Sequence, residues 1–276
     1  MCIFSKPVHS VSATNLFARG LPDGRQHLVY EMKVAMTQPT AMVLPLPLPP
    51  GSSEDAVVFT DLSDYAEFFQ HMEIGFPEVA RGGPVATSML ALPQSNLRVH
   101  EVGKFIASVV PTRDDFGRLD PRFRLSDSVL DALVEQADYA FAVFQLQVPP
   151  PDAPPRSVMG RMRQWLKGSS ETPTPVASPI HPMAFTFPRR DPSRLFFPTV
   201  HVHDGEVHDT ARFDHALFCQ QDHKPETADN LLWRSAIAYP EAFLDIERSK
   251  HLVLPEQLTW KAGLRGQLPN RDTFVG

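Results

Sequence analysis

Two groups of residues in this chain have the types and spacing for chemistry. The first begins at Cys2, directly behind Met1. Cysteine is small, so methionine aminopeptidase is expected to trim Met1 and leave a residue with both a thiol and a free α-amine. An α-amine titrates near pH ~8 and a thiol near ~8.5, so one residue would hold a nucleophile and a base that activates it. Arg19, in Phe17-Ala18-Arg19-Gly20, falls at the end of the second expected strand. There it could bind a substrate carboxylate or stabilise a thiolate. The plainer alternatives stay open: Cys2 as a buried side chain of a first strand, Arg19 as a surface residue of a hairpin.

The second group is His201-Val202-His203-Asp204-Gly205-Glu206-Val207-His208. With Asp204-Gly205 as a two-residue turn, His201 stands opposite His208 and His203 opposite Glu206. Side chains alternate along a strand, so these four share one face, with opposing Cβ atoms within ~5 Å. His201, His203 and His208 could then hold zinc, copper or another transition metal, with His215 and Cys219 close enough in sequence to add ligands. The alternatives are a polar, solvent-facing side of a hairpin, or an imidazole acting as general acid or base beside Cys2.

The elements that must position these residues read as strand-rich. Residues 15–19 and 27–32 flank Pro22-Asp23-Gly24, a hairpin signal. Ala41-Met42-Val43-Leu44-Pro45-Leu46-Pro47-Leu48-Pro49 reads as a strand that leaves the sheet beyond Leu44 as an extended edge or polyproline segment, because proline lacks an N–H. A proline-rich ligand for a partner's aromatic groove is its functional alternative. Helices are expected at Asp61 to Met72, with Leu62, Tyr65, Phe68, Phe69 and Met72 as the apolar stripe, and at Ser126 to Asp138, with Val129, Leu130, Leu133, Val134 and Ala137. A shorter helix or turn is expected at Arg113 to Leu119 and a helix at Pro240 to Arg248. Phe105 to Val110, Tyr139 to Val148, Met183 to Phe187, Arg194 to His201 and Phe213 to Cys219 read as strands. Residues 149–180 are rich in proline and serine and contain a short basic amphipathic stretch, Ser157 to Lys167. They read as a linker or surface insertion, with 1–148 and 181–276 forming one α+β domain. The expected fold is mostly antiparallel β, a two-sheet sandwich flanked by helices in the αββα manner.

Composition sets the outer bounds. The 276 residues are 42% hydrophobic and 21% charged, enough for a packed core. A net charge of -6 gives no global footprint for nucleic acid. No stretch approaches the ~18 apolar residues of a membrane helix. The start lacks a secretory pattern, and two cysteines, Cys2 and Cys219, suit a reducing compartment, although a bridge between them stays open. The expectation is a cytoplasmic protein of bacterial type. There is no Gly-rich phosphate loop and no Gly-x-Ser-x-Gly elbow.

Met1-Cys2-Ile3-Phe4 resembles the start of cysteine Ntn hydrolases, among them class II glutamine amidotransferases, bile salt hydrolase and acylase relatives and the so-called NRDE proteins. Phe17-Ala18-Arg19-Gly20 is similar to the bile salt hydrolase strand that ends in an arginine, with Gly20 where that group has asparagine. The resemblance implies an N-terminal-cysteine amide hydrolase or acyl-transfer enzyme acting on a small-molecule amide without a cofactor. Gly24 to Tyr30, Ala41 to Pro47 and His201 to His208 together also resemble an uncharacterised bacterial protein family, which implies no activity. Three functions therefore stand side by side: the amide hydrolase, a metal-binding protein or metalloenzyme, and a non-catalytic interaction protein that uses the proline-rich edge.

Overall fold

The computed structural model describes residues 2–77, 106–146, 178–228 and 230–276. The basic stretch Ser157 to Lys167, and all of the expected insertion before residue 178, lie outside them. The large sheet is built first from a hairpin, β2 (Ser10–Gly20) and β3 (Arg25–Ala35). As the Asp-Gly signal required, the turn places Gly24 at φ +84 and closes through a Leu21 N–H to Arg25 carbonyl bond of 2.8 Å. β5 (Val58–Asp61), β8 (Ser178–Pro188), β11 (Thr210–Gln220), β12 (Arg234–Ser235) and β13 (Thr259–Pro269) complete it in the order β12-β13-β11-β2-β3-β8-β5. Among the described strands of this sheet, β11 and β2 are the one parallel pair. β8 begins at Ser178, so the strand reaches back into the segment read as linker.

The smaller sheet has the order β10-β1-β4-β7-β6, made of β1 (Cys2–Phe4), β4 (Thr40–Leu46), β6 (Ile106–Val110), β7 (Ala140–Leu146) and β10 (His201–Val202). β9 (Leu195–Phe197) and β14 (Thr273–Val275) form a third, two-stranded ribbon. The two-residue period of the strands sorts the core. Leu16, Ala18, Leu28, Tyr30 and Leu217 of the large sheet join Met42, Val43, Phe141 and Val143 of the small one in a shared cluster. Phe17, Val29, Ala216 and Phe218 point the other way, into a second cluster under α1 (Phe68–Ile74) and residues 236–253. Phe144 and Phe185, 5.9 Å apart, link the sheets directly.

The described chain is mostly β, with antiparallel pairing dominant. The expected helices shrink. α1 starts only at Phe68, after a turn in which the Asp61 carboxylate accepts the Ser63 N–H, yet Leu62, Tyr65, Phe68, Phe69 and Met72 are all buried as the stripe required. α2 spans only Asp127–Ala132, capped by Ser126 as expected, and Val134 of its supposed stripe is 73% exposed. The proline strand also differs from expectation. β4 is buried along its whole length between β1 and β7, and Pro45 pairs with Phe141 inside the sheet. Its missing N–H costs nothing, because the described ladder with β1 ends at Val43. Leu46 and Leu48 are buried and Arg190 bonds the Leu48 carbonyl, so this segment offers no free proline-rich ligand.

Candidate functional site

The expected histidine hairpin does not form. β10 stops at Val202 and pairs with β1 in parallel, Cys2 opposite His201 and Ile3 opposite Val202. β11 starts at Thr210 and pairs with β2 and β13 instead. The turn carries Gly205 at φ +92, so Asp204-Gly205 is a turn without two paired strands behind it.

This splits the proposed metal ligands. His201 and His215 meet through their Nε2 atoms at 3.1 Å, and the His203 ring lies 4.8 Å from that of His201. Phe213, at 4.5 Å from the His201 ring, and Phe4, at 5.8 Å from His203, wall the cluster. His208 turns to the surface and its Nε2 sits 2.8 Å from Asp204 Oδ2. Cys219 is a fully buried free thiol of the shared core, and burial pushes its pKa up. Among the described residues no group of three or more His, Cys, Asp or Glu side chains is placed to hold an ion, so the zinc or copper reading of His201, His203, His208, His215 and Cys219 is corrected.

Burial sets the chemistry of what remains. It lowers the pKa of His201 to about 2 and of His203 to about 4, and holds His215 well below the ordinary value. These imidazoles are neutral at pH 7. One Nε2 of the His201–His215 contact must donate and the other accept, so the two rings carry complementary tautomers. Asp214 Oδ1 lies 3.7 Å from His215 Nδ1, beyond hydrogen-bond reach, while Asp214 Oδ2 accepts the Ala13 N–H at 2.8 Å.

Arg19 is elsewhere. It shares the face of Phe17, the outer face of the large sheet, and its Nε and Nη2 donate to the carbonyls of Leu252 and His251 at 2.8 and 2.7 Å. β1 belongs to the small sheet, across the inner face. The guanidinium thus ties residues 251–252 to the sheet, and its layer separates it from β1.

Three carboxamides and one carboxylate escape the sequence reading. Asn270 accepts the His201 N–H at 2.6 Å and donates to the His201 carbonyl at 2.9 Å. Gln26 does the same to Phe196 at 2.9 and 2.7 Å, and Gln220 to Leu254 at 2.9 and 2.8 Å. Asp272 accepts from Thr199 N, Val200 N and Gln136 Nε2, and burial raises its pKa to about 6. Each amide takes the place of a neighbouring strand for one residue. Gln220, directly after Ala216-Leu217-Phe218-Cys219, is marked in sequence as a polar residue closing an apolar run, whereas Gln26 and Asn270 stand beside Arg25 and Arg271 and carry no such mark.

No family model matches the chain. Among solved structures, that of baculovirus P35 is similar over 97% of this chain and 96% of its own, with a TM-score of 0.50 at 11% identity. A mutated baculovirus P35 after caspase cleavage is similar over 96% of this chain and 99% of its own, with a TM-score of 0.45 at 11% identity. P35 in the caspase-8/P35 complex covers 96% of each chain, with a TM-score of 0.40 at 10% identity. The first of these gives the likeness of fold. It replaces the Ntn hydrolase expectation, whose Cys2 and Arg19 the layers keep apart, and with it the small-molecule amide substrate. No helix among the described residues is long and apolar enough to cross a membrane.

Proposed function

We propose that this chain is a non-catalytic protein that acts by binding a caspase-type cysteine protease. The observation that carries the reading is likeness of fold over nearly the whole chain to baculovirus P35, a protein solved in a complex with caspase-8 and after caspase cleavage. The third sequence alternative, an interaction protein, is thereby kept, although not through its proline-rich segment. In this reading the two sheets act as a sandwich scaffold, with the strands up to Leu146 and those from Ser178 onward forming one unit.

The test is direct. Purified chain is mixed with active caspase-8, and in parallel with other caspases. The mixture is followed by size-exclusion chromatography, by residual peptidase activity and by mass spectrometry of the chain. A stable complex, with a cut chain or a fall in peptidase activity, is the expected result. A chain that stays intact and elutes alone with every caspase tried, at concentrations well above those of the enzyme, sinks the reading.

A further inference from the structure

The sheets end in edges, and an edge strand presents unpaired N–H and C=O groups that invite another strand. Most edges here are blunted. Asn270 caps β10 at His201, and Gln26 caps β9 at Phe196. Residues 226 and 276 bond each other on the open side of β14, both bonds 3.0 Å. β12 is two residues long and includes Arg234. β5 is four residues long and ends at Asp61, whose carbonyl accepts from Lys250.

Among the described residues β6 has none of these devices. Within the described residues it pairs with β7 on one side only, and its five residues Ile106-Ala107-Ser108-Val109-Val110 contain no charge and no proline. Ile106 is 56% exposed. Beside it runs an open cleft of about 470 Å³ between Val58 and Phe59 of β5 and Ala107 and Val109 of β6, with Glu54 and Asp55 at its rim. Glu54 is paired with Arg118, and Asp55 makes no ion pair among the described residues.

We propose that β6 is a docking edge for an extended segment of another protein, which adds to the small sheet as a further strand. The backbone of β6 supplies main-chain hydrogen bonds, and the cleft takes alternate apolar side chains. The acidic rim and the net charge of -6 favour a segment carrying lysine or arginine between its apolar residues over a second copy of this acidic chain. The proposal stands independently of the protease reading, since it rests on the edge and the cleft alone.

The probe is a short fluorescein-labelled peptide of alternating valine and lysine, followed by fluorescence anisotropy and by amide exchange of residues 106–110. Binding is expected, with slowed exchange along β6. A glutamate-for-lysine peptide should bind about tenfold more weakly, as should the Asp55→Lys and Ile106→Lys chains, which change exposed positions and leave the core intact. N-methylation of alternate amides should abolish binding on one edge of the peptide and spare it on the other. Equal binding of both N-methylated forms overturns strand addition. No binding of the parent peptide overturns the site. A dimer in sedimentation that Ile106→Lys dissolves overturns the choice of occupant, because a second copy would then hold the edge.

Discussion

His201 and His208 sit in one short stretch of sequence and live in opposite environments. Burial against Phe213 and His215 lowers the pKa of His201 to about 2. A hydrogen bond from exposed His208 to Asp204 raises the pKa of His208. His203 follows His201, down to about 4. A face-sharing hairpin would have made the three alike. The parallel pairing of β10 with β1 commits His201 and His203 to the interior and releases His208 to water. Strand register, more than residue type, therefore decides whether an imidazole here is a packing element or a titrating group.

The largest consequence is acid sensitivity. His201, His203 and His27, the last also lowered to about 4 chiefly by burial, bind protons more weakly folded than unfolded. Their contribution to stability is full above pH ~6.5 and is lost as the pH falls toward 4, with His201 continuing toward 2. For His203 alone the loss is on the order of 3 kcal/mol once the pH is well below 4. Glu31 and Asp272 act in the opposite sense. Burial raises their carboxyls to about 7 and about 6, so their contribution is present at low pH and lost as pH rises through those values. The imidazoles outnumber them, and His215 adds to their side. The melting temperature should therefore climb from pH 5 to pH 7. A flat or falling curve over that interval would mean that the cluster is wet.

The His201–His215 contact gives a sharper version. His215→Leu leaves the His201 Nε2 buried without its partner and should cost about 1–3 kcal/mol in urea unfolding. His201→Leu together with His215→Leu removes both polar groups, and the pair should recover part of that cost. Strict addition of the two single losses would show that the rings are not coupled.

Much of the scaffold was legible because it is written in periodicity. The Asp23-Gly24 hairpin, the buried stripe from Leu62 to Met72, the Ser126 cap and the apolar run of β7 all depend on neighbours in sequence. The site was not legible, for the complementary reason. Asp204-Gly205 carries the same turn chemistry as Asp23-Gly24, but β10 finds its partner in β1, from the far end of the chain, and β11 finds β2 and β13. Arg19 was placed at the end of its strand correctly, but which face it took followed from the second cluster that covers Phe17. Pro45 looked like a strand breaker because the sequence does not reveal where the ladder with β1 stops.

Asn270 tests the sealing of β10 at a smaller scale. Asn270→Ala leaves the His201 N–H and carbonyl, and the His208 carbonyl, without their amide partner. The expected loss is about 1–2 kcal/mol, with amide exchange accelerated first at residues 201 and 202. Asn270→Asp keeps the acceptor for the His201 N–H and loses the donor, so its exchange should fall between the two. If Asn270→Ala accelerates exchange evenly across the small sheet, the amide is a general packing contact and the clip does not exist as such.

The smallest expected effect belongs to His208 and decides the comparison with His201. Its raised pKa makes a contribution that is present below pH ~6.5 and lost as the pH rises through the folded value, but the pair with Asp204 is exposed and screened by water and salt. His208→Gln should leave the melting temperature unchanged within scatter at both pH 5 and pH 7. In a proton NMR titration it should remove one imidazole that titrates above 6.5 and leave the resonances of His201 and His203 still and neutral down to pH 5. If either of those two rings titrates near 6.5 in the wild type, it is open to solvent. The desolvated corner beneath β1 would then be no different from the surface turn that follows it.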